Sequence, residues 1–226
     1  MSIIRLDGVS HSFGDRRVLD DLNLTLSEHR IGVVGANGSG KSTFARLING
    51  LVTPDTGTVS VDGLDVARNA KAIRSRIGFI FTNPDNQIVM PTVQEDVAFT
   101  LRRHKLTAAE SAARTAASLD RFGLTAHADH PAHRLSGGQK QLLALASVLV
   151  AEPEVIVADE PTTLLDARNA RLIGEQFETM SQQVIIVTHQ LALLDRFDRV
   201  LVFEDGRVVA DDTPQVALSA YRELLA

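Results

Sequence analysis

The run IGVVGANGSGKST at 31–43 constrains this chain more than any other stretch of it. IGVV reads as a buried strand, and Gly35, Gly40, Lys41 and Ser42 then fall at the fixed positions of the phosphate-binding pattern G-x-x-x-x-G-K-S. Glycines let the backbone curl until several N–H groups face one phosphate, and the helix that follows points its positive end at the same anion. Asn37, Gly38, Ser39 and Thr43 belong to the same cradle. Lys41 is suited to the outer phosphates, and Ser42 to Mg2+, a hard cation that takes oxygen ligands. The expected ligand is therefore a nucleoside triphosphate with Mg2+.

The rest of the chain has the alternation of short apolar strands and helical patterns expected of an α/β sheet with crossover helices. Strands are expected at 3–9, 18–26, 30–35, 56–63, 76–81, 155–159 and 184–189, and a closing hairpin over 199–212 turns on Asp205-Gly206. No convincing strand lies between Phe81 and Val155, and residues 82–153 read as a helical insertion within one domain spanning 1–226. Thr92 with Glu95, and Thr107 with Glu110, have capping-box spacing, and Gly123 can stop the second of these helices. Val93, Val97, Ala98 and Leu101 would share one face of the first.

Composition excludes other classes. With 44% hydrophobic and 23% charged residues, the chain of 226 is ordinary globular material. Its most apolar stretch, LLALASVLVA at 142–151, is too short to cross a bilayer. The N-terminus MSIIRLDG lacks the pattern of a secretory signal, and there is no cysteine for a disulfide or thiolate site. A net charge of −5 without a basic block argues against a nucleic-acid partner.

Two further motifs carry chemistry. EVIVADEPT at 154–162 runs a buried strand into adjacent carboxylates. Asp159 would face the metal, and Glu160 would orient and deprotonate a water, as phosphoanhydride hydrolysis requires. In RLSGGQKQ at 134–141, Ser136 can cap a helix whose first turn holds Gly137, Gly138 and Gln139, a second set of free N–H groups. His127, His130 and His133 lie in HADHPAHR, but Pro131 breaks any helix that would align them, and the stretch reads as a solvated loop rather than a metal site.

With LSGGQ in place, the sequence resembles, along essentially its whole length, the nucleotide-binding subunit of ATP-binding-cassette proteins. The resemblance implies a P-loop NTPase core with an antiparallel β subdomain and a helical insertion. It also implies a head-to-tail dimer, in which Ser136, Gly137, Gly138 and Gln139 of one copy close on the ATP held by the other. TLLD at 163–166 matches the dimer-facing loop with Asp166, and His189 matches the histidine that contacts the terminal phosphate. Phe13 stands where the family usually places a tyrosine against adenine, keeping the stacking surface without the hydroxyl.

Thr82 occupies the place of the family's usual glutamine, and Gln87 comes five residues later. The string FTNPDNQIVMPTVQEDVAF is similar to the ATPases of energy-coupling-factor importers. Because one chain holds both half-sites, a homodimer would have two competent sites, and that arrangement with the end at Ala226 resembles the dedicated biotin systems most, with cobalt or nickel systems next. The implied partners are a second copy of the chain, a transmembrane coupling subunit and a substrate-binding membrane subunit, with attachment to the cytoplasmic face of the membrane through protein alone. A soluble cassette ATPase acting on DNA or ribosomes would be expected to carry a long coiled coil, a second cassette or basic arms. A small-molecule P-loop kinase would have no use for LSGGQ.

Overall fold

Alternating burial organises the first strands. In β1 (Ile4–Phe13), Ile4 and Leu6 are buried while Arg5 and Asp7 are exposed. The alternation then slips, because the pairing with β2 (Arg16–Leu26) shifts register between Leu6 and Val9. Gly8, at φ 60°, takes the left-handed backbone that such a bulge requires. The strand expected to end at Val9 therefore continues to Phe13, with His11 turned inward and Phe13 exposed at the hairpin tip. The computed structural model, which describes residues 1–225, carries the chain on through β3 (Arg30–Gly35), α1 (Lys41–Ile48), β4 (Thr56–Val61), β5 (Leu64–Asp65), α2 (Ala70–Arg76) and β6 (Ile77–Ile80). Three helices follow: α3 (Val93–Leu101), α4 (Ala108–Arg121) and α5 (Gly137–Leu149). The chain closes with β7 (Val155–Asp159), α6 (Ala167–Thr179), β8 (Gln183–Val187), β9 (Arg199–Glu204), β10 (Arg207–Asp212) and α7 (Pro214–Leu224).

Two sheets result. One is four-stranded and antiparallel, in the order β2-β1-β4-β5. The other runs β10-β9-β3-β8-β7-β6, with β3 parallel to both β8 and β9 and β7 parallel to β8. Every residue of β7 and β8 is buried, as expected of parallel strands covered on both faces. β9 and β10 form the expected hairpin, turned by Asp205 at φ 45° and Gly206 at φ 80°.

The chain divides into two compact units. The first comprises Met1–Phe79, Glu154–Glu160 and Gly174–Ala226, and the second Ile80–Pro153 and Pro161–Ile173. In the second, α3, α4 and α5 each begin with a capping box: Thr92 with Glu95, Thr107 with Glu110, and Ser136 with Gln139. Val93, Val97 and Leu101 of α3 are buried, whereas Phe99 is exposed. In the first, α1 is pinned by Phe44, whose ring centroid lies 5.1 Å from that of Phe203 on β9. Burying each ring contributes about 2–3 kcal/mol.

Arg76 ties three points of the first unit together. Its guanidinium donates to both oxygens of Glu154, ahead of β7, and to Asp62 in the turn after β4. Burial alone would raise the Asp62 carboxyl, but the Ile3 N–H, Arg76 and Ser2 together outweigh it and hold it below its ordinary value of 3.8. A lowered folded-state value means stability that is complete above pH 3.8 and is lost as pH falls through the folded value. Arg76→Leu should cost about 1 kcal/mol, or roughly 2–4 °C in Tm, at neutral pH. Melts repeated down to acid pH should show the variant and the parent converging, because the interaction lost to mutation is the one that protonation removes.

Candidate active site

The phosphate loop, 36–40, stands where three backbone segments meet. A Cβ on Gly35 would fall 2.2 Å from the Phe203 carbonyl oxygen, and one on Gly40 would fall 2.6 Å from that of Val18. A Cβ on Gly206 would lie 2.7 Å from the same Val18 oxygen. Hydrogen bonds close the junction: Gly206 N–H donates to the Ser39 carbonyl at 3.1 Å, and Asp20 N–H to the Gly206 carbonyl at 3.0 Å. Gly35, Gly38 and Gly40 have φ of 147°, 83° and 103°, conformations that side chains disfavour. The loop is thus shaped by β2 and the β9–β10 turn as much as by its own sequence.

Lys41 is buried and folds back over the loop, its Nζ donating to the Gly35 carbonyl at 2.8 Å and the Ala36 carbonyl at 2.7 Å. Burial pushes its ammonium below the usual lysine value, while the Glu160 and Asp159 carboxylates pull it back up. Ser42 Oγ donates to Asp159 Oδ1 at 2.9 Å, placing two oxygen donors side by side at the start of α1 and the end of β7. Arg46 approaches the other Asp159 oxygen at 4.0 Å.

Glu160 leaves β7 in a left-handed conformation, φ 53°, with its N–H donating to the Val187 carbonyl at 2.9 Å. A non-glycine residue in this region costs about 1–2 kcal/mol, and the turn aims the carboxylate at His189. His189 Nδ1 lies 2.8 Å from Glu160 Oε2. An ionised carboxylate only accepts, so Nδ1 carries the proton and Nε2 is left at the open edge of a ring that is 61% exposed. Phe13, the phosphate loop, Asp159, Glu160 and His189 all belong to the first unit.

Ser136 to Gln139 lie in the second unit. Ser136 Oγ accepts from the Gln139 N–H at 3.3 Å while Gln139 Oε1 accepts from the Ser136 N–H at 2.9 Å. Gly137 is open, with nothing within 4 Å of a Cβ placed on it. His127 Nε2 meets the Gln139 side-chain amide at 3.0 Å, and its Nδ1 meets His130 Nδ1 at the same distance. Asp166 accepts from the backbone N–H of Asn169 at 2.8 Å and so caps α6, which together with the Asn169 side chain keeps its carboxyl low.

Sequence reasoning missed how residues 83–90 are fastened. Gln87 uses both ends of its amide, accepting from the Phe81 N–H at 3.2 Å and donating to the Ala144 carbonyl at 3.0 Å. Lys140 pairs with Asp85 at 2.7 Å. Asp96, buried in α3, accepts from the N–H groups of Val89 and Met90 and from the hydroxyl of Ser147 at 2.8 Å. The contacts fall on α5 at 140, 144 and 147, the spacing of a single helix face. One signal was available: Asp96 sits between Val93 and Val97 on the apolar face of α3, where an unpartnered acid is costly.

A family profile described as ABC transporter matches residues 19–163. The biotin transport ATP-binding protein BioM of Rhizobium etli is 47% identical over 223 residues, covering 99% of each chain. CbiO1 from Clostridium perfringens, part of the ABC transporter complex cbiONQ, has a TM-score of 0.82 at 31% identity over 98% of this chain and 92% of that one. The ATP-binding cassette MJ0796, solved as a dimer in a post-hydrolysis state bound to ADP and Pi, has a TM-score of 0.83 at 28% identity, covering 93% of this chain and 98% of that one.

The backbone junction makes a contrast between glycines. Gly35→Ala places a methyl group 2.2 Å from a carbonyl oxygen that cannot move without β9, and should cost roughly 2–5 kcal/mol with loss of nucleotide binding. Gly137→Ala meets open space and removes a poor helix former, so its Tm should be unchanged or slightly raised. Thermal melts of the two variants check this.

Proposed function

Because the chain belongs to the ABC transporter family and is an ATPase, we propose that it powers biotin uptake as the ATP-hydrolysing subunit of an energy-coupling-factor importer. The full-length similarity to a biotin transport ATP-binding protein supports the choice of solute, with cobalt import next through the likeness to a cobalt import ATP-binding protein. In this proposal residues 1–226 act as one nucleotide-binding domain with a helical insertion at 82–153. No helix among the described residues is long and apolar enough to cross a membrane. In the proposed importer the subunit sits on the cytoplasmic face through protein partners, a transmembrane coupling subunit and a substrate-binding membrane subunit. Val89 and Phe99, 64% and 43% exposed, offer an apolar surface for the first of these.

The observation that carries the proposal is that one chain holds both halves of a sandwich site. It has an intact phosphate loop with its carboxylates and an intact LSGGQ helix start, so two copies related head to tail would make two complete sites. The residues fit the ligands. Close backbone approaches at Gly35 and Gly40 fix the curve of the loop, and the Lys41 ammonium rests on carbonyl oxygens that phosphate oxygens would replace. Ser42 and Asp159 supply hard oxygen donors for Mg2+, which when bound would neutralise charge on the phosphate oxygens. Phe13 would stack on the base. The Glu160 carboxylate, oriented by the His189 Nδ1–H, would take a proton from the attacking water as its oxygen bonds to the terminal phosphorus and the bond to the ADP oxygen breaks. With its second ring nitrogen protonated, His189 would donate from Nε2 to the terminal phosphate, and Ser136, Gly137, Gly138 and Gln139 of the second copy would close on the same group.

Glu160→Gln removes the base and keeps the shape, so it should trap ATP and move the protein from monomer to dimer on size exclusion in Mg-ATP. ADP should leave it monomeric. A variant that stays monomeric with ATP, and that fails to trap nucleotide in the assembled transporter, would sink the sandwich.

Thr82 tests the chemistry separately. Its hydroxyl is too short to replace a glutamine amide directly, and we assign the 83–87 segment a mechanical rather than a chemical role. In the assembled transporter Glu160→Gln should lower turnover about a hundredfold or more. Thr82→Ala should lower it only about a few-fold, the loss of one weak hydrogen bond. ATPase rates equal for the two variants, with ATP binding intact, would make Thr82 a catalytic residue instead.

A further inference from the structure

His11 is 8% exposed, yet neither ring nitrogen has a hydrogen-bond partner, an uncommon and costly state for a buried imidazole. Its Nδ1 lies 3.3 Å from Asp55 Oδ1, with no hydrogen bond between them. The contact it does make is with Phe13: the ring centroids are 4.7 Å apart and the planes meet at 89°, an arrangement that ring quadrupoles favour.

Phe13 needs such a contact. It ends β1 at a hairpin tip, is 53% exposed, and has no polar atom by which the protein can hold it. The tip stands beside the phosphate loop, since Arg16, the cross-strand partner of Phe13, brings its guanidinium to 3.1 Å from where a Cβ on Gly38 would lie. Asp55 brackets His11 from the neighbouring segment, its carboxylate accepting from the Ser12 N–H at 2.7 Å and its own N–H donating to the Ser10 carbonyl at 2.9 Å. The backbone on both sides of His11 is thereby fixed.

We infer that His11 is a positioning residue for nucleotide-base recognition: held in place by the Asp55 clamp, its imidazole sets the Phe13 ring in the orientation that stacks on the base. The inference rests on Phe13 being the base platform, as proposed above. Base stacking should depend on His11, whereas phosphate binding, which uses the loop itself, should not. Immobilising one side chain before the ligand arrives is worth roughly three- to tenfold in Kd.

The test titrates the full-length protein with ATP and, separately, with inorganic tripolyphosphate, each with Mg2+. His11→Leu should weaken ATP binding about three- to tenfold and leave tripolyphosphate unchanged. His11→Phe, which keeps a ring against Phe13, should restore ATP binding. In a Phe13→Ala background, His11→Leu should have no further effect. Equal weakening of both ligands, no weakening of ATP, or an undiminished effect in the Phe13→Ala background would each overturn the inference. Phe13→Ala alone separates the two readings. If it leaves ATP affinity intact, the base platform itself is wrong and the inference falls with it; if it weakens ATP while His11→Leu does not, only the role of His11 is wrong. Should His11→Leu fail to fold, Asp55→Ala, which removes the clamp at a half-exposed carboxylate, faces the same comparison and the same outcomes.

Discussion

Three stretches of backbone come within contact distance at the phosphate loop, and glycine stands wherever two of them touch. Gly35 faces the Phe203 carbonyl, while Gly40 and Gly206 both face that of Val18. No hydrophobic contact of similar size would serve, because a side chain at any of these positions would force apart β2, the loop and the β9–β10 turn. The loop is therefore not a flexible strap that wraps its ligand. Its curvature is imposed by two neighbouring strands, and the same strand β2 carries the hairpin that ends in Phe13. The phosphate loop and the hairpin tip that carries Phe13 are two ends of one backbone arrangement.

Strain at the other side of the site has a matching logic. Glu160 is driven into a left-handed backbone at the end of a fully buried strand. That conformation separates its carboxylate from that of Asp159, although the two residues are adjacent. Asp159 turns to Ser42, and Glu160 turns to His189. The two adjacent carboxylates thus reach different hydrogen-bond partners, although both act on the Lys41 ammonium.

What was legible in the sequence was what is encoded locally. The phosphate loop, the capping boxes of α3 and α4, the Asp205-Gly206 turn and the strand-end carboxylates each depend on residues within a few positions of one another. The strand expected to stop at Val9 did not stop there. The bulge at Gly8 resets the alternation, and a period-two pattern cannot be followed across an extra residue. The fastening of 83–90 onto α5 was invisible for another reason. Gln87 meets Ala144 and Asp96 meets Ser147 across more than fifty positions, and nothing in either stretch advertises the other. The burial of His11 against Phe13 was equally hidden, since its inward orientation follows from the same shift of alternation.

The three fastenings along α5 have a mechanical meaning. A helix of 13 residues is about 20 Å long, and it is held at 140 and 144 by Asp85 and Gln87 and at 147 by Asp96 of α3, which in turn accepts from the N–H groups of Val89 and Met90. Its first turn carries Ser136 to Gln139, and the segment fastened to it carries the exposed Val89. A helix tied at three points along one side would, in the proposed importer, move together with the segment tied to it. In the proposed importer, then, news of nucleotide closure need not be handed from side chain to side chain. Displacement of the helix start would be carried by the backbone of α5, through these ties, to the exposed Val89.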